Sequence, residues 1–339
     1  MEALLLATVV GATLIILLMI GIPVAFSLGI TAMIFIAYDE GFGGFPVLAE
    51  TLFASLDEFA LLSIPMFLLM GAAIAASRAG SDLYEAIDRW LYKVPGGLLI
   101  SNIGACGLFA ALTGSSPATC AAIGKMGIPE MLDRGYPPSL ATGAIAAGGT
   151  LGILIPPSIT MIVYGIATET SIGRLFMAGM IPGIMLVVLF MVWGWVYAYA
   201  KGYRFTEADK HFSLKDKLVI LPKIIPFMAV IAMVLWALYG GVATPSEASG
   251  VGALFCILLV MLIYKVWQPK ALWEIVRTAT RESVMLLMII GMAALFSYMM
   301  SSLYITQGIA EWIVGLDVSK WVLLFFINVF LLVAGFFLP

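Results

Sequence analysis

Two short stretches carry the residue types from which an ion or anion site can be built without a charged side chain. Leu112 to Thr119 reads LTGSSPAT, and Gly148 to Ser158 reads GGTLGILIPPS. Each interrupts an apolar run with glycine, proline and hydroxyl residues. Gly114 permits backbone angles closed to other residues, Pro117 suits the first turn of a helix, and Ser115 or Ser116 can cap that turn's free amides. Pro156 and Pro157 remove amide donors and free carbonyls one turn earlier. Serine hydroxyls and freed carbonyls are hard oxygen donors suited to a sodium ion, while the N-termini of half-helices favour an anion. Each break alone reads as an ordinary proline kink. Two close together, both rich in glycine and hydroxyls, point to a binding site.

The elements that must position these breaks are membrane helices. The chain has 339 residues, 63% hydrophobic and 11% charged, against roughly half apolar and a quarter charged in soluble domains. Runs such as Leu4 to Leu18, Ile184 to Trp195 and Val251 to Ile263 are almost free of charge and predict helices of about 20 residues crossing a bilayer. The expected fold class is therefore an all-α polytopic membrane protein. Met1 and Glu2 lead straight into the first run without a basic flank, which predicts a retained first span rather than a cleaved signal. Cys106, Cys120 and Cys256 have no paired spacing and read as small hydrophobes. No phosphate-binding G-x-x-x-x-G-K-[ST] loop, no H-E-x-x-H and no basic, aromatic patch for nucleic acid occurs. Catalysis and cofactors are not expected, and the energy for any uptake falls to an ion gradient.

A hairpin dipping into the membrane must turn, and its turn exposes peptide groups that hydrocarbon cannot satisfy unless protein or a wet cavity faces them. LTGSSPAT is read as the tip of such a re-entrant hairpin over 96–130, and GGTLGILIPPS as the interruption of a broken helix over 137–169. Spans are expected at 3–20, 23–38, 63–80 and 175–200. Pro46 to Ala60 and Trp267 to Glu282 mix apolar and charged residues and read as amphipathic arm helices at the interface.

The chain also repeats itself. Gly21 and Gly241 are 220 residues apart, and Ser63 and Gly71 match Ser283 and Gly291 at the same offset. Ile87 and Trp90 match Ile309 and Trp312 at 222, and Gly114 matches Gly335 at 221. These landmarks predict two repeats, residues 1–200 and 218–339, joined by a cytoplasmic linker over 201–217 that holds the only histidine, His211. Five crossings per repeat would invert the second. The second repeat then stops at its own hairpin tip, so about 85 further residues are expected beyond Pro339. Under this arrangement Arg78, Arg89, Lys93, Lys125, Arg134, Lys201, Arg204, Lys210, Lys215, Lys217, Lys223, Lys265, Lys270, Arg277 and Arg281 share one side. Only Arg174 and Lys320 fall opposite. The crowded side is cytoplasmic by the positive-inside rule, with the N-terminus periplasmic. Thr244 to Glu247, TPSE, reads as a capping box opening a span.

GIPVAFSLGI, SIPMFLLMG, LTGSSPATCAAIGKMGIPEM, the GGTLGILIPPS break and GVATPSEASGVGAL together resemble the large membrane subunit, of DctM type, of the tripartite ATP-independent periplasmic (TRAP) transporters. The resemblance implies a sodium-driven importer of organic anions such as dicarboxylates or sialic acids in the bacterial inner membrane. It implies an elevator motion, with a small membrane subunit and a soluble periplasmic substrate-binding protein as partners. Carried onto this chain, it implies ion binding at Gly114, Ser115 and Ser116 and at carbonyls near Gly149, Gly152 and Pro156, with Gly335 in the symmetry-related site. Substrate contacts are expected at Ser116, Thr119, Thr150 and Ser158. A stand-alone sodium-coupled carboxylate carrier needing no binding protein is the alternative within transport, and a passive channel or structural membrane subunit the alternative outside it.

Overall fold

A computed structural model describes residues 2–91, 94, 96–202, 213–316 and 318–335. Lys93, Arg204, Lys210, His211 and Pro339 lie outside the described residues. Regular structure among the described residues is helical throughout. Among the described residues three helices are long and apolar enough to cross a membrane, and two further pairs qualify when each bent pair is taken as one span. The protein is an all-α polytopic membrane protein.

The chain divides into two units, Met1–Glu58 with Met285–Pro339, and Phe59–Val284. The first holds α1 (Glu2–Met19), α2 (Val24–Asp39) and, after a tight turn at Gly41–Gly44, α3 (Phe45–Leu56). Val10, Ala32, Phe35, Ile36 and Leu48 form its core with Leu295, Met299 and Ile305. The second runs through α4 (Ser63–Ala75), α5 (Ala79–Leu91), α6 (Gly97–Thr113), α7 (Ser116–Asp133), α8 (Pro138–Gly149), α9 (Leu151–Leu154), α10 (Ile159–Ala167) and α11 (Ile172–Ala200). It continues with α12 (Leu214–Val219), α13 (Leu221–Tyr239) and α14 (Pro245–Tyr264). The chain closes with α15 (Pro269–Ser302), α16 (Ile305–Gly315) and α17 (Lys320–Ala334).

In the second unit α6 is the central helix: fifteen of its seventeen residues are buried, and α4, α5, α7, α8, α9, α11 and α13 all pack on it. Small residues make this crowding possible. A Cβ on Gly107 would stand 3.0 Å from Val187 Cγ2, tighter than ordinary contact, while one on Gly104 would meet Ile87 and Met191 at van der Waals range. By contrast α11 turns Ile181, Ile184, Val188 and Val192 outward, which suits a helix whose solvent is lipid rather than water.

Three expected elements differ in extent. The span predicted over 63–80 ends at Ala75, because Ser77 turns back to accept from the Ala79 amide at 3.0 Å and to donate to the Ile74 carbonyl at 2.7 Å. The arm predicted over 46–60 stops at Leu56, where the Asp57 amide makes the last helical bond, to the Phe53 carbonyl. Its counterpart over 267–282 is no separate helix. α15 runs unbroken through Ser283 to Ser302. The difference lies in Pro65, which lacks an amide and crowds the preceding turn, where the position 220 residues later carries Met285. The TPSE box forms as expected: the Glu247 carboxylate accepts from the Thr244 amide at 2.8 Å and Thr244 Oγ1 from the Glu247 amide at 3.3 Å.

Candidate ion and substrate site

α6 and α7 are joined by two residues in contrasting conformations. Gly114 closes α6 in the left-handed region, with φ 60° and ψ 16°, and its amide donates to the Ala110 carbonyl at 2.8 Å. Ser115 is extended, and its hydroxyl accepts from the Ala118 amide at 3.5 Å, so it is Ser115 that caps α7. Pro117 occupies the first turn, where no amide is needed. The Thr119 hydroxyl donates to the Ser115 carbonyl at 2.8 Å and lies 3.2 Å from the Thr113 hydroxyl, both threonines being buried.

The second break repeats this chemistry. α8 ends at Gly149, α9 adds one turn, and the chain runs extended through Ile155 to the buried Pro156 and Pro157. Ser158 then caps α10, accepting from the Met161 amide at 3.4 Å and donating to the Ile153 carbonyl. Ser115 and Ser158 hold nearly the same backbone angles, φ −133° with ψ 123° and φ −122° with ψ 124°.

The two breaks meet. The Ile159 amide donates to the Gly114 carbonyl at 3.4 Å. A Cβ on Gly114 would stand 2.4 Å from the Pro157 carbonyl oxygen, and one on Gly152 would stand 2.7 Å from the Ser116 amide nitrogen. On Gly149 it would fall 1.9 Å from Cys120 Sγ and 3.5 Å from the Ser116 carbonyl oxygen. Glycine at these positions thus lets main chain lie against main chain.

Gly114, Ser115, Ser116, Thr119, Gly149, Gly152 and Ser158 are therefore neighbours, with Pro156 buried in the same break. Thr150 is exposed, and its hydroxyl is held by the Ala147 carbonyl at 2.7 Å. Gly335 lies in the other unit, at the end of α17, where the nearest atoms to a Cβ would be the Leu331 and Leu332 carbonyl oxygens of its own helix. Ser116 Oγ is buried without a hydrogen-bond partner among the described residues. Neither stretch contains an ionisable acid or base, and no group of three or more His, Cys, Asp or Glu able to hold a metal occurs among the described residues. What gathers here is backbone carbonyl, backbone amide and hydroxyl.

Sequence reasoning missed Thr113 and Gly71. Thr113 mirrors Thr119 across the turn, a symmetry visible in the string TGSSPAT. Gly71 brings α4 to 3.0 Å, measured from its would-be Cβ, of the Thr113 carbonyl oxygen, and the GAAIAA run from Gly71 was its signal. A third contact holds the hairpin lower down. Asn102, fully buried, donates to the Leu98 carbonyl at 3.0 Å and sets its Oδ1 where a Cβ on Gly127 would be.

Interrupted helices meeting inside an apolar chain whose described regular structure is all helical are the build of a membrane protein with an internal site. A family model of the DctM component of the tripartite ATP-independent periplasmic transporters matches residues 12–339. The C4-dicarboxylate TRAP transporter large permease protein DctM of Pseudomonas aeruginosa is 37% identical over 291 residues, covering 86% of this chain and 67% of that protein. The isethionate TRAP transporter permease protein DctMQ of Oleidesulfovibrio alaskensis is 33% identical over 95% of the chain, which spans half of that relative's length. The sialic acid TRAP transporter large permease protein SiaM of Vibrio cholerae is 29% identical over 95% of the chain and 74% of its own length. The chain belongs to the DctM family of TRAP transporter large permeases. It is a multi-pass inner-membrane transport protein, of a family of permeases rather than enzymes.

Proposed function

We propose that the chain works as the large membrane subunit in sodium-coupled import of an organic anion, with a small membrane subunit and a periplasmic substrate-binding protein as partners. The observation that carries this reading is the junction of the two breaks, where Gly114 accepts from Ile159 and Gly152 lies against the Ser115–Ser116 peptide. A sodium ion would be coordinated there by the hydroxyl of Ser116, which has no partner among the described residues, and by carbonyls near Gly149, Gly152 and Pro156. The anion would take hydroxyls of Ser116, Thr119, Thr150 and Ser158. The names of the relatives, a C4-dicarboxylate, an isethionate and a sialic acid permease, support a substrate that is a small organic acid.

Inverted repeats and an elevator motion complete the proposal. In support, Gly21 and Gly241 both adopt positive φ, 91° and 65°, just before α2 and α14. The order of α4 to α6 also parallels that of the end of α15 with α16 and α17. Gly335, matching Gly114, would then belong to a second ion site. The decisive experiment is uptake into liposomes by the complete transporter with its binding protein. Ser116→Ala should raise the sodium concentration for half-maximal uptake about 5- to 150-fold, since one lost ligand in a desolvated site costs about 1 to 3 kcal/mol. Ser115→Ala should instead lower stability by about 1 kcal/mol through loss of the α7 cap. Unchanged sodium dependence in Ser116→Ala removes that hydroxyl from the site. Uptake without any binding protein would favour the stand-alone carrier.

A further inference from the structure

α12 has six residues, too few to be stable alone, and a set of polar contacts fixes it in place. The Asp216 carboxylate accepts from the Ser213 amide at 2.9 Å, and Ser213 Oγ accepts from the Lys215 amide at 3.4 Å. Arg89 on α5, paired with Glu85, donates from Nη1 to the Asp216 carbonyl at 2.6 Å. The result is that Lys217 Nζ stands 5.3 Å from the centroid of the Trp90 ring.

Trp90 is also one wall of a groove of about 280 Å³ between α5, α6 and α13, whose other walls include Ile87, Leu108, Ile224 and Ile225. The lining is apolar, and Trp90 and Ile225 are 51% and 55% exposed, so the groove opens outward. The groove is walled by aliphatic side chains and one indole, so a hydrocarbon chain can lie there without leaving a polar group unsatisfied. Lys217 stands at its edge where charged α12 gives way to apolar α13, the level at which headgroups and interfacial tryptophans lie.

We propose that this groove binds an acyl chain of an anionic phospholipid, with Lys217 meeting the headgroup phosphate. A second apolar groove, about 620 Å³, is lined by residues of α6, α8 and α11 that include Leu140, Phe190 and Trp193 and contain no cation. It offers a neutral comparison within the same molecule.

The test is native mass spectrometry of the full chain in detergent, incubated with equimolar phosphatidylglycerol and phosphatidylcholine of identical acyl chains. The wild type should retain phosphatidylglycerol preferentially, and Lys217→Gln should cut that preference about 5-fold, the factor expected for one basic residue at a membrane surface. Lys217→Arg should keep it. Ile225→Trp, filling the groove, should abolish it, whereas Leu140→Trp in the second groove should not. Thermal unfolding in the same detergent verifies that each variant is folded. Equal retention of both lipids by the wild type, or an intact preference in folded Lys217→Gln, overturns the proposal. So does stabilisation by inorganic phosphate equal to that by phosphatidylglycerol, which would make this an anion site without a lipid.

Discussion

Replacing Gly114 by alanine tests whether the two interrupted helices truly lie backbone to backbone. The new Cβ would stand 2.4 Å from the Pro157 carbonyl oxygen and 3.3 Å from its carbonyl carbon, with Ser158 Cα at 3.6 Å. None of these is the end of a flexible side chain, so the tip must separate from the break. A residue with a Cβ at φ 60° costs about 1 to 2 kcal/mol, and overpacking a tight contact about 1 to 3 kcal/mol more. Gly114→Ala should therefore lose about 2 to 5 kcal/mol. Gly241 supplies the control, because it has φ 65° and nothing within 4 Å of its would-be Cβ. Gly241→Ala should lose only the conformational part, about 1 to 2 kcal/mol. Reversible unfolding in mixed micelles, followed by circular dichroism, gives both numbers. Equal losses in the two variants would refute the close approach, since only the backbone angle would then matter.

Gly127→Ala should also destabilise, because the Asn102 carboxamide occupies the space of its Cβ. Adding Asn102→Ala should recover part of that loss in a double-mutant cycle, and strict additivity would show that the two do not touch. Topology is open to labelling after Cys106, Cys120 and Cys256, all free thiols, are replaced by alanine. A cysteine at Lys201 should react only from the cytoplasm and one at Asp39 only from the periplasm; periplasmic labelling at 201 would reverse the orientation drawn from the basic residues.

The two interruptions were legible because glycine, proline and serine stand inside runs otherwise long enough to span a bilayer. Ser115 or Ser116 could be named as the cap of α7 for the same reason, though choosing Ser115 needed the backbone angles, and Ser158 as the cap of α10 came from the structure alone. Helix ends governed by polarity alone were read less well. The arm over 267–282 was set apart by its charges, yet main-chain hydrogen bonds do not respond to that change, and no glycine or proline occurs from Ala271 to Ile290 to stop α15. Pro65 did carry such a signal between the arm over 46–60 and α4. The part that glycines play at the site was the least visible. Gly149 and Gly152 are marked in sequence for their carbonyls, whereas the close approaches they and Gly71 permit, to Cys120, the Ser115–Ser116 peptide and Thr113, emerge only from the fold.

The hydrogen bond from Ile159 to Gly114 has an electrical meaning. It joins the C-terminal end of α6 to the N-terminal end of α10, so the two helices form one interrupted dipole whose facing partial charges, about half a unit each, cancel at the gap. With no ionisable acid or base in 112–119 or 148–158, the gap is a neutral spot within an apolar protein. A lone ion brought there finds dipoles but no counter-charge. A cation and an anion arriving side by side supply that charge to each other, worth about 4 kcal/mol at 4 Å in a medium of effective dielectric 20. For the ion-coupled uptake proposed above, the lowest-energy load of such a junction would be an electroneutral pair, with either ion alone the worse guest.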